Sequence, residues 1–396
     1  MVKDRQSKAL IILMLGLLSA IGPFSIDMYL PGFEYISKDL GTSIEHIQLS
    51  LTSFFIGIAS GQIIYGPLLD RFGRKRPLIV GLLIYIAASV GCALTQSADT
   101  LITLRFIEAL GSCGGMVAAR AMVRDYFPPT ETAKIFSMLM LVIGISPILA
   151  PTLGGLIIHS LGWHAIFVLL SVITFFILLG VIILLPESSK PNPNVSLKPA
   201  PILKNFWEVF KNPDFLVYGI AGGTASSGLY AYLSGSPFVM MEIFGLNEKQ
   251  YGWVFGFIAA GLITTSQINN FMLKYYRSEH IAKFALLAQA IVGITLLVLT
   301  LTNNANLYNV IILIFCFLAC QGFVFPNTSA LALNPFSVLA GSASALLGSI
   351  QLGIGAIASA LVAALHNDTM LPMVGMMAAC ATISIAILLL APKSTG

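Results

Sequence analysis

Apolar runs of bilayer-spanning length recur from one end of the chain to the other and leave little between them. A helix needs about 20 apolar residues to cross a bilayer. Twelve runs meet that need: Ala9–Pro31, His46–Leu69, Pro77–Gln96, Thr100–Val123, Ala133–Ser160, Trp163–Leu185, Phe215–Glu242, Tyr251–Leu273, Ile281–Leu301, Tyr308–Leu333, Gly341–Leu365 and Leu371–Leu390. Hydrophobic residues make up 57% of the 396, and charged residues only 10%, against roughly 25% in an ordinary soluble domain. A soluble protein of this size must clothe its surface in polar groups, and here there are too few. A water-soluble enzyme, a disordered chain and a nucleic-acid-binding protein are excluded. The reading is an all-α, multi-pass membrane protein.

Work across a membrane needs an energy source. No GxxxxGK[ST] phosphate loop occurs, and the longest polar stretch, Pro186–Pro213, is too short for a nucleotide-binding domain. Ion gradients, membrane potential or the solute's own gradient remain. Five cysteines lie inside apolar runs, an odd count that argues against a disulfide framework. Cys316 and Cys320 share a helix face and read as small buried residues. No cluster has zinc spacing, so neither a metal nor a cofactor is expected.

Lys and Arg fix the expected orientation. With the N-terminus in the cytoplasm, Lys38 and Lys249 fall outside, Arg105 and Arg120 fall within the membrane, and the other 17 of the 21 fall inside. Both termini are then cytoplasmic, and the first span, behind Lys3, Arg5 and Lys8, reads as retained rather than cleaved. Residues 186–213, with six prolines and four lysines, read as a cytoplasmic linker. It joins an N-terminal six-helix bundle (1–185) to a C-terminal one (214–396). Asp70–Arg76 after the second span and Lys274–Arg277 after the eighth give a weak internal echo, as paired halves do.

Charge at membrane depth is costly, so each such residue is a functional candidate. Asp27 lies in span 1. Arg105 and Glu108 lie one turn apart on span 4, with Arg120 further along it. A carboxyl group there can take a proton on one side and release it on the other, and a cationic or polar solute can compete for the same place. A fixed ion pair joining spans 1 and 4 is the plainer alternative, and Arg120 also reads as snorkelling to the interface. Gly144, Pro147, Pro151, Gly154 and Gly155 make a stripe of small and helix-bending residues in span 5. Gly252, Gly256 and Ala260 repeat the pattern of small residues in span 8. Tyr29, Phe54, Tyr230, Tyr232, Phe238 and Gln351 are candidate cavity residues for an amphipathic small molecule, and read equally as core or lipid-facing side chains.

The ordered motifs resemble the major facilitator superfamily and, within it, the Bcr/CflA drug:proton antiporters. The resemblance rests on Ser25-Ile-Asp27-Met-Tyr-Leu-Pro31, on Gly66 to Arg76, on Arg105 to Gly111 with Ala119 to Asp125, and on Gly144 to Gly155. Ser236-Pro237-Phe238 and Gly341 to Ala345 also fit. It implies twelve transmembrane helices in two six-helix bundles, alternating access, and a monomer in the bacterial inner membrane. It implies proton and substrate coupling at Asp27, with Arg105 shaping the site. It also implies a conformational latch of Gly66, Asp70, Arg71, Gly73, Arg74, Arg76 and Asp125, with Arg74 pairing Asp125 and Asp70 facing the start of span 11. Many relatives carry Gln or His where this chain has Glu108, and some carry a second acid where it has Ser19. The proton site therefore reads as shared between Asp27 and Glu108. The expected function is proton-driven export of drugs or similar amphipathic molecules. The alternative is export of one native metabolite, such as a siderophore.

Overall fold

The computed structural model describes residues 5–193, 197–336 and 339–390. Lys3 and Lys393, counted in the charge bias, lie outside them. Fourteen α-helices and no strands occur among the described residues. In the first part these are α1 (Arg5–Asp27), α2 (Phe33–Asp39), α3 (Ile44–Phe72), α4 (Lys75–Leu94), α5 (Ala98–Tyr126), α6 (Pro129–Leu161), α7 (His164–Leu184) and α8 (Pro199–Phe210). In the second part they are α9 (Pro213–Pro237), α10 (Glu248–Met272), α11 (Ser278–Leu301), α12 (Leu307–Leu333), α13 (Ala340–Ala364) and α14 (Leu371–Leu390). Among the described residues, eleven helical segments are long and apolar enough to cross a membrane.

The helix α9 stands apart from those eleven. Its sequence is rich in Gly, Ala and Ser, so its hydropathy is low for a membrane helix. The structure supplies the reason. Most of α9 is buried, and it packs against α12, α13 and α14. A helix enclosed by other helices needs close backbone contact more than apolar surface, and small residues provide it. Gly222 lies on Thr328 and Gly228 on the ring of Phe317, where a Cβ would come within 2.3 and 2.7 Å of those side chains.

The described chain forms two compact units, Met1–Thr42 with Ser53–Ile202, and Ser43–Thr52 with Leu203–Gly396. In the first unit, α1 packs on α5, α6 and α7, and α4 packs on α5 and α7. In the second, α11 packs on α12 and α14, and α10 packs on α12.

Helix ends follow local chemistry. Asn247 and Gln250 close a reciprocal capping box at the start of α10, and Asn306 and Asn309 do so at α12. Asn212 accepts the Phe215 amide at the start of α9. The stretch read as a plain linker contains α8, which begins at Pro199, a residue suited to a first turn. It buries Val209 against Phe215, Ala332 and Leu347 and leaves Trp207 exposed. At the other end of α9, the expected span through Glu242 stops at Pro237 and continues as a π-helical turn, Phe238–Ile243.

Candidate functional site

In the first unit α6 meets Asp27, the last residue of α1. The residue is 5% exposed. It accepts a hydrogen bond from the Ser146 hydroxyl of α6 at 3.0 Å. No cation lies within 4.0 Å of it among the described residues. Ser146 sits between Gly144 and Pro147, so the small-residue stripe of α6 carries the donor. Further along the stripe, Gly154 lies against the Met28 carbonyl, where a Cβ would come within 2.1 Å. Only glycine lets α6 approach the end of α1 this closely. Pro147 and Pro151 lie inside α6, and Gly155 is buried beside Gly154.

Arg105 and Glu108 of α5 are both fully buried. Their pairing is direct, Nη1 to Oε2 at 2.6 Å, as one-turn spacing allows. Arg105 Nη2 also donates to the Ser25 carbonyl of α1 at 3.0 Å. Its guanidinium stands 4.2 Å from the ring centre of Phe54, 4.8 Å from Tyr29 and 5.7 Å from Phe167. Aromatic faces attract a desolvated cation. Tyr29 and Phe54, read as cavity candidates, are thus part of the wall around Arg105 and are themselves fully buried. The Ser25 hydroxyl lies 2.6 Å from that of Tyr85.

The two acids therefore have different surroundings. Glu108 has a permanent cation and Asp27 has one neutral donor. Arg105 acts on α1 through the Ser25 carbonyl, two residues before Asp27. Arg120 stands apart, exposed and about 22 Å along the helix from Arg105 at 1.5 Å per residue.

In the second unit neutral polar side chains form short hydrogen-bonded chains. Gln289 donates to Gln321 at 3.1 Å, and Gln321 to Ser226 at 2.6 Å. Asn327 donates to Asn269 at 2.6 Å, and Gln351 to Ser329 at 3.4 Å. Tyr232 stacks on Phe255, with ring centres 5.7 Å apart, and Tyr230 packs on Gly355. Phe238 meets His366 edge-on at 4.4 Å.

The α3–α4 turn is tied down on several sides. Gly73 has φ +83°, in the region that favours glycine. Arg74 donates Nη1 to Asp70 at 2.5 Å and Nε to Asp125, at the end of α5, at 2.9 Å. Burial works against the Arg74 charge. Hydrogen bonds and charges from Asp125 and Asp70 outweigh it and hold its pKa above the ordinary arginine value. Glu187, which sequence reasoning missed, accepts the Arg74 amide at 2.7 Å and the Lys75 amide at 3.1 Å, at the start of α4. A carboxylate there also meets the positive end of the helix. Lys75 donates to the Ile182 and Leu185 carbonyls at the end of α7, each at 2.8 Å. Arg71 lies 5.8 Å from the Phe72 ring centre. A Cβ at Gly66 would meet open space, so close packing does not explain that glycine.

The model of the Major Facilitator Superfamily matches residues 15–360. The chain belongs to that superfamily. It is 32% identical over 384 residues to a "Bicyclomycin resistance protein homolog" of Haemophilus influenzae, covering 97% of this chain and 96% of that protein. It is 34% identical over 372 residues to the "Uncharacterized MFS-type transporter YdgK" of Bacillus subtilis, covering 93% and 92%. The "Multidrug resistance protein MdtL" of Escherichia coli is 28% identical over 369 residues, again covering 93% and 92%. Among solved structures, the D-xylose-proton symporter superposes with a TM-score of 0.74 at 15% identity, covering 98% of both chains. A bacterial Spinster homologue in an inward-facing, occupied conformation superposes at 0.72 and 16% identity, covering 98% and 96%. These two show the shared fold. With its relatives and its apolar helices, this superfamily member is a multi-pass transporter of the bacterial inner membrane and not an enzyme.

Proposed function

We propose that the protein is a proton-coupled antiporter that exports drugs or similar small amphipathic molecules by alternating access. The observation that carries this is Asp27. A buried carboxyl group with one hydroxyl donor and no cation close by can exchange a proton without first breaking a salt bridge. Glu108 is held by Arg105, and that pair fixes the end of α1 on which Asp27 sits. The drug-resistance names of two relatives support export as the direction.

The topology that goes with this reading has twelve spans in two six-helix bundles, 1–185 and 214–396, joined by a cytoplasmic linker. Both termini are inside. The twelfth span is α9, whose low hydropathy follows from its enclosure. Asp70, Arg74 and Asp125 form the latch that steadies one of the transport states, together with Gly66, Arg71, Gly73 and Arg76.

The test is a drug-susceptibility panel in a bacterium lacking its main efflux pumps, comparing wild type, Asp27→Asn and empty vector at equal expression. Resistance to several unrelated compounds, lost in Asp27→Asn, is the expected result. Resistance kept by Asp27→Asn removes Asp27 from coupling. No resistance to any compound with the wild type favours a dedicated metabolite exporter, to be sought by metabolite profiling of the medium.

A further inference from the structure

Each unit carries an exposed apolar groove, and of the residues lining the two the transport reading uses only Arg76, in the latch. In the first unit, the end of α3, the start of α4 and the middle of α5 enclose a groove of about 420 Å³. Ile64, Leu68, Phe72, Val80 and Ile84 line it, and Arg76 stands at its end. Ile64, Phe72 and Val80 are exposed. In the second unit, α10, α11 and α12 occupy the same places in the order of helices. There a groove of about 630 Å³ is lined by Met272, Tyr276, Ile281, Phe284, Ala288 and Phe323. Tyr276 also lines a polar hollow of about 520 Å³, which holds Lys274 and Arg277.

The repetition extends to the cations. Arg71 lies 5.8 Å from the ring of Phe72, and Lys274 lies 5.7 Å from that of Phe271. In each unit an exposed apolar groove lies beside aromatic rings and basic side chains. Exposed apolar surface on a membrane helix faces acyl chains. Aromatic and basic residues at a helix end lie at headgroup depth, and basic pockets between membrane helices suit anionic headgroups. Glu279 engages Arg277 at 3.3 Å, which leaves the hollow with two cations and one acid.

We propose that each groove seats an acyl chain of one anionic phospholipid, with its phosphate at Arg76 in the first unit and at Lys274 and Arg277 in the second. The chemistry recognised is a headgroup phosphate of net negative charge carried on an apolar tail. A free phosphate offers negative charge without the tail.

Native mass spectrometry of the purified full-length protein tests this, with added phosphatidylglycerol, phosphatidylcholine of the same chains, or inorganic phosphate. Phosphatidylglycerol is expected to stay bound at one molecule per unit while phosphatidylcholine leaves. Lys274→Gln with Arg277→Gln should lose the lipid of the second unit. Ala288→Trp, which fills that groove and keeps both cations, should lose the same lipid. Val80→Trp should lose the lipid of the first. These positions are exposed, and size-exclusion profiles check that each variant remains folded. Equal retention of the two lipids overturns the proposal, as does retention unchanged by the variants. Loss confined to one unit overturns the paired assignment. A phosphate adduct indifferent to Ala288→Trp would make the hollow a site for soluble anions and overturn the lipid reading.

Discussion

The Ser146 hydroxyl of α6 donates to the Asp27 carboxylate of α1 across 3.0 Å, while the second buried acid, Glu108, is held by Arg105 at 2.6 Å. One acid is free of permanent charge partners and the other is neutralised. The two are therefore expected to respond differently to substitution.

Ser146→Ala removes the hydroxyl donor of Asp27, a contact worth about 1 kcal/mol. Export should persist, with an altered pH profile, while Asp27→Asn abolishes it. Drug efflux from everted vesicles at several pH values measures this. Complete loss of efflux in Ser146→Ala alone would give Ser146 a role beyond its contact with Asp27.

Arg105→Met leaves Glu108 buried and unpaired. Breaking a buried pair from one side costs about 3–5 kcal/mol, whereas replacing both partners by apolar groups is often neutral. Thermal unfolding in detergent should show a large loss for Arg105→Met and recovery in Arg105→Met with Glu108→Leu. Transport should stay impaired in the double variant, because the tie to the Ser25 carbonyl is still missing. Full recovery of transport would reduce Arg105 to a structural residue.

Gly73→Ala strains a backbone at φ +83° and brings a Cβ within 2.9 Å of the Glu187 carboxylate. A strained backbone of this kind costs about 1–3 kcal/mol. Glu187→Ala should relieve the crowding, yet leave the Arg74 and Lys75 amides uncapped. Both single variants should slow export at normal membrane levels. Transport at the wild-type rate in both would show that this turn does not set the cycle.

Gln321→Leu removes the acceptor of Gln289 and the donor to Ser226. A buried polar group left without its partner costs about 1–3 kcal/mol. A lowered melting temperature is expected. An unchanged melting point in Gln321→Leu would mean that water already satisfies this chain.

Much of the architecture was legible because the bilayer imposes simple rules. Length and hydropathy locate the helices, and eleven segments meet those criteria in the structure. The helix α9 fails on hydropathy because its surroundings are other helices, and a single sequence does not display surroundings. The Arg105–Glu108 pair was legible from one-turn spacing. Ser146 stood within a motif already quoted, but motif reading assigns it no partner. Glu187 was hidden for another reason. It lies just beyond the last apolar run of the first half, more than a hundred residues from the amides it caps, and only folding brings them together. Tyr29 and Phe54 read equally as cavity or core side chains, and both rings lie against Arg105. Aromatic residues suit a cavity wall and a cation's wall equally well, and pattern alone does not separate the two.

The enclosure of α9 bears on how the protein is made. Its neighbours α12, α13 and α14 are synthesised after it, so the environment that suits its glycines and serines does not exist when it leaves the ribosome. Lipid is a poor substitute for a helix of this composition. Integration of the second half therefore depends on helices still to come. A chain stopped after α11 should leave α9 slow to integrate and open to quality-control proteases, even though every residue of α9 is present.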